Sequence, residues 1–331
     1  MNKESFLVFG AGSWGTALSI QLHKAGNAVF LTSFDETNLS KTKAEKENKK
    51  YLPGIKIPKG ISIGVINEEA IARSSSILIC VKSPGFIKAI SLLGAKTANK
   101  KIIWATKGFD PDSGSFLSSS VENILGKTTQ EGVISGPTFA EELAIGKPAA
   151  LTLATKKILN PGALAKSMSS DSLRVYTSDD MIGVQFGGGF KNIIAIAAGI
   201  SDGLGLGANA KAALITRGLE EMKQLGMVLG AKEKTFFGLS GLGDLVLSST
   251  DNQSRNRALG GLIGSGQSFA ASVEGLGSKP EGANAIKALV KNGIVTADHP
   301  ISYSVYRVLY EGLGPAEAAK SLMERPIGDE H

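Results

Sequence analysis

Short apolar runs recur through the first half of the chain, each followed by a glycine-rich or polar turn and then by apolar positions at helical spacing. Ser5-Phe6-Leu7-Val8-Phe9 comes first and leads through Gly10-Ala11-Gly12-Ser13-Trp14-Gly15 into Thr16-Ala17-Leu18-Ser19-Ile20-Gln21-Leu22. Gly26 closes that helix, and Ala28 to Thr32 reads as the next strand. Further strand-like runs at Ile61 to Ile66, Ile77 to Val81, Lys101 to Ala105, Val133 to Ser135 and Leu151 to Ala154 alternate with helical patterns. Such alternation predicts an α/β domain with a mainly parallel sheet and crossover helices. Beyond Leu173 to Tyr176 the strand signal fades, and helices are predicted over Ala208 to Leu229, Arg255 to Ile263, Glu281 to Lys291, Ile301 to Leu309 and Pro315 to Met323. The chain is therefore expected to divide into an α/β unit over residues 1–185 and an all-α unit over residues 186–331.

Between the two patterns lies Met181 to Gly199, preceded by the polar cap Thr177-Ser178-Asp179-Asp180, so a helix is expected from near Asp179. It is apolar on almost every side, which predicts a buried helix. Gly187, Gly188 and Gly189 inside it each cost roughly 1 kcal/mol against alanine, so close packing or a ligand must compensate. Helical side chains lean toward the N-terminus, placing Lys191 over Gly187 and Gly188, and Asn192 over Gly188 and Gly189. Locally, the glycines admit a crossing helix under a snorkelling lysine, or they clear a space beneath an ammonium and an amide.

Composition narrows the class. The chain has 331 residues, 42% of them hydrophobic, with 41 glycines, which suits a folded two-domain protein and argues against disorder. The run around Ile193 to Ile200 is shorter than the roughly 20 residues a membrane span needs, and the first strand begins too early for a signal peptide. The single cysteine, Cys80, sits in an apolar run and is expected to be a core thiol in a reducing cytoplasm. Much of the net charge of +6 lies between Lys41 and Lys59, expected to be a solvated, mobile segment. It lacks the arginines and interleaved aromatics of a nucleic-acid face, so small anionic ligands remain as partners. No metal site is predicted.

The strand–turn–helix context of Gly10, Gly12 and Gly15 makes the G-x-G-x-x-G a dinucleotide-binding turn, with phosphates on the helix N-terminus. After the second strand the chain reads Thr32-Ser33-Phe34-Asp35, so the acid that would bind a ribose hydroxyl comes late and cofactor choice stays open. Other predicted strand ends carry Lys82-Ser83-Pro84, Thr106-Lys107-Gly108 and Gly136-Pro137-Thr138-Phe139-Ala140-Glu141. Thr138 and Glu141 have capping-box spacing. In the second half, Asp244 lies in a glycine-dense apolar setting and needs a partner. Ser254 is a plausible N-cap beside Arg255, a helix start that suits a phosphate monoester.

Together these segments resemble the bacterial NAD(P)-dependent glycerol-3-phosphate dehydrogenases. The resemblance rests on the Gly10 to Leu18 turn, Tyr51-Leu52-Pro53-Gly54, Trp104 to Gly108, Ser135-Gly136-Pro137, Val175 to Asp180, Lys191-Asn192, Gly241 to Leu245 and Asp251 to Arg257. It implies a Rossmann-type N-terminal domain, an all-α C-terminal domain, a homodimer, and reversible reduction of dihydroxyacetone phosphate to sn-glycerol 3-phosphate with NAD(H) or NADP(H), supplying glycerophospholipid synthesis. It also implies that Lys191 is the general acid/base. Lys107, Gly136, Thr138, Asp244, Ser254, Arg255 and Asn256 would join Lys191 around the substrate. Gly10, Gly12, Ser13, Trp14, Gly15, Phe34, Lys107, Ala140, Arg255, Lys279 and Glu281 would meet the cofactor. On this reading the glycines are room for triose phosphate and nicotinamide beneath Lys191, whose pKa burial and Lys107 lower and Asp244 holds up. The chain departs from the family pattern at Gly189-Phe190, which replace Ala-Leu, at Phe34, where many members carry histidine or arginine, and at Lys82-Ser83-Pro84, where a Pro-Ser dipeptide is usual.

Overall fold

In the computed structural model, which describes residues 3–325, β1 (Ser5–Phe9) is flanked in parallel by β2 (Ala28–Thr32) and, on its other edge, by a later strand. With β3 (Ser62–Ile63), β4 (Ser76–Ile79), β5 (Lys101–Trp104), β6 (Gln130–Ser135), β7 (Ala149–Lys156) and β8 (Leu173–Ser178), the sheet has eight strands in the order β3-β2-β1-β4-β5-β6-β7-β8. The chain jumps from one side of β1 to the other between β3 and β4. That switch opens a crevice outside the carboxyl ends of β1 and β4.

Both faces of the sheet are covered, which is why its strands read as continuous apolar runs rather than alternating ones. Phe6 and Val8 pack with Leu18, Leu22 and Leu31 on one face, while Leu7 and Phe9 pack with Ile77, Ile79, Phe86 and Trp104 on the other. The β6–β7 pairing is antiparallel, the one reversal among the described strands, where the sequence suggested parallel neighbours. The six-residue helix Ala140–Ile145 and Gly146, in the left-handed conformation, turn the chain back beside the strand it left.

Two expectations need correction and a third needs refinement. Thr138 and Glu141 form no capping box: the helix begins at Ala140 without a side-chain cap, and the Thr138 hydroxyl donates to the Gly136 carbonyl at 3.3 Å. The segment from Lys41 to Lys59 is solvent-exposed at most of its side chains, as expected, but a few buried positions anchor it to the fold. It buries Leu52 and Ile57, and buried Asn48 donates to the Ala11 carbonyl and to the Thr16 hydroxyl, each at 2.9 Å, bracing the first glycine turn. The apolar stretch around Ile193 to Ile200 belongs to a longer helix, Met181–Gly203, containing an 18-residue window of mean hydropathy 1.3, long and apolar enough to cross a membrane; 94% of that window is buried inside the protein. Its cap is Asp180, which accepts from the Gly183 amide at 2.8 Å.

After Ser178 every described element is helical, and the central helix is the axis around which the others pack. Small residues set the closest crossing. A Cβ on Gly199 would overlap the Arg257 carbonyl, and one on Gly260 would overlap the Ile196 carbonyl, so the helices Met181–Gly203 and Arg255–Gly264 meet backbone to backbone. Gly260→Ala should therefore destabilise the protein by about 2–3 kcal/mol in urea unfolding. Gly275→Ala, where a Cβ meets nothing within 4 Å, should be neutral or stabilise by up to about 1 kcal/mol.

Candidate active site

Lys191 faces the crevice from the central helix and is 6% exposed. Its ammonium donates to Asp244 Oδ1 at 2.8 Å and to the Ser248 hydroxyl. Asp244 opens the helix Asp244–Thr250 after the wide, π-helical turn Leu239–Gly243, and Ser248 follows one helical turn later on the same face. The other oxygen of Asp244 accepts from Lys107 Nζ at 2.6 Å. Lys107 stands beyond the end of β5 and also donates to the Gly136 carbonyl at 3.1 Å, beyond the end of β6. One carboxylate thus holds two ammonium groups drawn from opposite halves of the chain.

Burial pushes the Lys191 ammonium down, Lys107 lowers it further, and Asp244 holds it up, leaving its pKa at about 8. Burial works to raise Asp244, but the two lysines outweigh it, and the carboxylate stays below its ordinary range. Two of the three Lys191 N–H bonds are used; among the described residues the third has no protein acceptor. The cluster can therefore hold a proton on Lys191 near neutral pH and present it to a buried ligand oxygen.

The glycines beneath Lys191 do not clear space for a ligand as expected. A Cβ on Gly187 would lie 2.7 Å from the Ser240 carbonyl oxygen, one on Gly188 2.5 Å from the Ser135 hydroxyl, and one on Gly189 2.8 Å from the Phe109 ring. Protein occupies all three places. The glycines let the turn before Asp244 and the ends of β5 and β6 approach the helix closely, which is how Lys107 and Asp244 reach Lys191.

At the crevice mouth, Gly10 has a φ of +123°, and a Cβ there would lie 2.7 Å from the Cys80 carbonyl. The helix Ser13–Lys24 has Gly12 at its N-cap and no side-chain cap, and a Cβ on Gly12 would meet nothing within 4 Å. Free amides beside an open glycine fit a diphosphate. Two buried polar atoms nearby also lack partners among the described residues: the Trp14 indole N–H and Glu281 Oε1. Burial raises the Glu281 carboxyl, against the Ser83 hydroxyl that donates to its Oε2 at 2.6 Å. Gly108 would place a Cβ 3.4 Å from that oxygen, so Glu281 stands beside the Lys107 turn. Partnerless buried groups at the edge of a crevice suit a dinucleotide that brings its own donors and acceptors.

The remaining candidates are dispersed. Ala140 is the first residue of its short helix. Ser254 caps its own helix by accepting from the Arg257 amide at 3.3 Å. Asn256 donates to Asn192 Oδ1 and accepts from the Gly282 amide, both at 2.9 Å. The Arg255 guanidinium is exposed and donates to the carbonyl and hydroxyl oxygens of Ser278, each at 2.6 Å. Phe34 packs edge-on against Phe9 with the Lys88 ammonium 4.8 Å from its ring centroid. Asp35 caps the next helix and pairs with Lys50 at 2.7 Å, so its carboxylate is already engaged. The Lys279 ammonium lies over the rings of Phe269 and Tyr310. Sequence reasoning missed Ser248 and Asn48; the four-residue spacing from Asp244 was a usable signal for the first, whereas no local pattern marked the second. Among the described residues no group of three or more His, Cys, Asp or Glu is placed to hold a metal ion.

Asp244→Asn should leave the buried Lys191 ammonium and the part-buried Lys107 ammonium without a counter-charge. The Lys191 pKa should drop below about 8 and the protein should lose stability most at low pH, where the buried Lys191 must stay charged. NMR titration of the lysine and urea unfolding at pH 6 and 9 would test both effects.

Residues 5–159 match the family model described as NAD-dependent glycerol-3-phosphate dehydrogenase N-terminus, and residues 180–320 match the corresponding C-terminus. The chain is 42% identical over 335 residues to a glycerol-3-phosphate dehydrogenase [NAD(P)+] of Bartonella tribocorum, covering 100% of each. It is 43% identical over 330 residues to the protein of that name from Thioalkalivibrio sulfidiphilus, covering 98% of each. The crystal structure of glycerol-3-phosphate dehydrogenase from Coxiella burnetii superposes with a TM-score of 0.91 at 39% identity, covering 98% of this chain and 99% of that one. A ketopantoate reductase of Ralstonia eutropha, at 16% identity and a TM-score of 0.58, shares the fold alone. With both halves matched in order and near-complete coverage by close relatives, the chain belongs to the NAD-dependent glycerol-3-phosphate dehydrogenases.

Proposed function

We propose that the protein is an oxidoreductase that reduces dihydroxyacetone phosphate to sn-glycerol 3-phosphate with NADH or NADPH, reversibly, for glycerophospholipid synthesis. The observation that carries this reading is the buried Lys107–Asp244–Lys191 cluster at the carboxyl ends of the strands, in the same crevice as an uncapped dinucleotide turn. The cofactor, when bound, supplies the hydride to the ketone carbon. Gly10, Gly12, Ser13, Trp14, Gly15, Ala140, Arg255 and Glu281 are the residues we assign to holding it, with Phe34 and Lys279 at the margins.

Lys191 then donates the proton that the ketone oxygen needs and recovers it in the reverse direction. Its N–H without a protein acceptor is the one we assign to that oxygen. Asp244 and Ser248 fix the ammonium in place, while Lys107 adds a second positive charge that favours the developing alkoxide. Gly136 and Thr138 line the strand end beside Lys107. The phosphate monoester is assigned to Arg255 and the helix start it opens, with Ser254 and Asn256 shaping that start.

On this reading residues 1–185 are the dinucleotide-binding domain, and residues 186–331 are the substrate and dimerisation domain, which supplies the proton donor and adds Arg255, Lys279 and Glu281 to the cofactor site. A homodimer is supported by an apolar groove of about 780 Å³ among Leu204, Leu206, Leu214, Ile301, Leu322 and Met323, with Met323 85% exposed. A cytoplasmic setting is supported by the single unpaired Cys80.

Lys191→Met should reduce turnover with dihydroxyacetone phosphate at least about a hundredfold, followed by NADH absorbance at 340 nm; near-normal turnover would remove Lys191 from the mechanism. Because reduction uses the charged lysine, its rate should fall as pH rises through about 8, while the oxidation rate climbs over the same range. Arg255→Ala should raise KM for dihydroxyacetone phosphate about tenfold with kcat changed less.

A further inference from the structure

Lys82, in the loop between β4 and the helix Ser83–Leu93, lies across from the second half of the chain. Its ammonium donates to the Ser278 hydroxyl at 2.9 Å, and the Arg255 guanidinium donates to the same hydroxyl oxygen at 2.6 Å. Two cations from different domains therefore converge on one neutral oxygen. Among the described residues neither forms an ion pair; the nearest acid, Glu281, is buried and bonded to Ser83. Burial and the Arg255 charge both lower the Lys82 ammonium from its ordinary value, and Glu281 offsets this only in part.

The position of this pair says what anion it would take. The Cys80 carbonyl, two residues before Lys82, lies against Gly10, so the Lys82 loop borders the glycine turn. That turn presents uncapped amides and an open Gly12, a surface for phosphate oxygens. Helix amides alone leave a diphosphate's charge largely uncompensated, and Lys82 and Arg255 stand at this border without an ion pair among the described residues.

We propose that Lys82 is a further cofactor-binding residue: with Arg255 it takes the diphosphate of the bound dinucleotide as a shared counter-ion, releasing Ser278. The cofactor thereby draws a sheet-domain lysine and a helical-domain arginine onto one anion, and its binding helps to hold the domains together. This rests on the cofactor reading above.

The test is equilibrium binding of NADH to the full-length protein, followed by nucleotide fluorescence at several salt concentrations. Lys82→Met should raise Kd about tenfold and flatten its salt dependence, since one charge-assisted contact is lost. Lys82→Arg should stay within about twofold of the parent, and so should Ser278→Ala, because Ser278 only occupies the cations while the site is empty. If Lys82→Met leaves Kd unchanged, or if Ser278→Ala weakens NADH as much as Lys82→Met does, the lysine is a latch between domains and the proposal falls. A parent protein that fails to bind NADH would overturn the cofactor reading itself, an outcome distinct from either of these.

Discussion

The Asp244 carboxylate, 1% exposed and bonded to two ammonium groups, is the interaction on which the rest of the site depends. Burying a charge is costly unless it is paired and its hydrogen bonds are complete. Here one carboxylate uses both oxygens and still leaves the cluster with a net positive charge. That excess tunes the site: it keeps Lys191 acidic enough to part with a proton while leaving it charged near neutral pH. A neutral pair would hold its proton more tightly, and an isolated buried lysine would lose it too early.

Bringing three charged residues from distant parts of the chain to one point requires unusually close packing, and glycine supplies it. Gly188 accepts the Ser135 side chain and Gly189 accepts Phe109, locking the sheet domain onto the central helix. Asn192, Asn256 and the Gly282 amide form a second tie between helices, and Ser83 with Glu281 a third, between domains. These contacts share one consequence. Lys191 sits on an almost fully buried helix, and the crevice beside it lies where the sheet and helical halves meet, a geometry that holds its ammonium in place.

The cofactor end of the crevice is built differently. Asp35, the acid nearest the position where a ribose hydroxyl would be read, is consumed as a helix cap and by Lys50. Phe34 instead offers an aromatic surface with Lys88 above it. Neither arrangement is dedicated to a ribose hydroxyl or to a 2′-phosphate, which agrees with the NAD(P) naming of the relatives.

Much of this was legible in the sequence because it is local. The glycine turn, the strand periodicity, the helices at Glu281–Lys291 and Pro315–Met323, and the need of Asp244 for a partner all follow from neighbouring residues and their spacing. The resemblance singled out Lys107, Lys191 and Asp244, which the structure brings together. What the tertiary structure alone decided was who meets whom. It turned β7 antiparallel, anchored the lysine-rich segment so that Asn48 braces the turn, and filled the space over Gly187 to Gly189 with protein. It also set Lys82 beside Arg255 across 173 residues of chain, less than 3 Å each from one hydroxyl. Such contacts depend on long-range packing and on which carboxylate or carbonyl lies nearby in space, and no period or spacing in the chain encodes that.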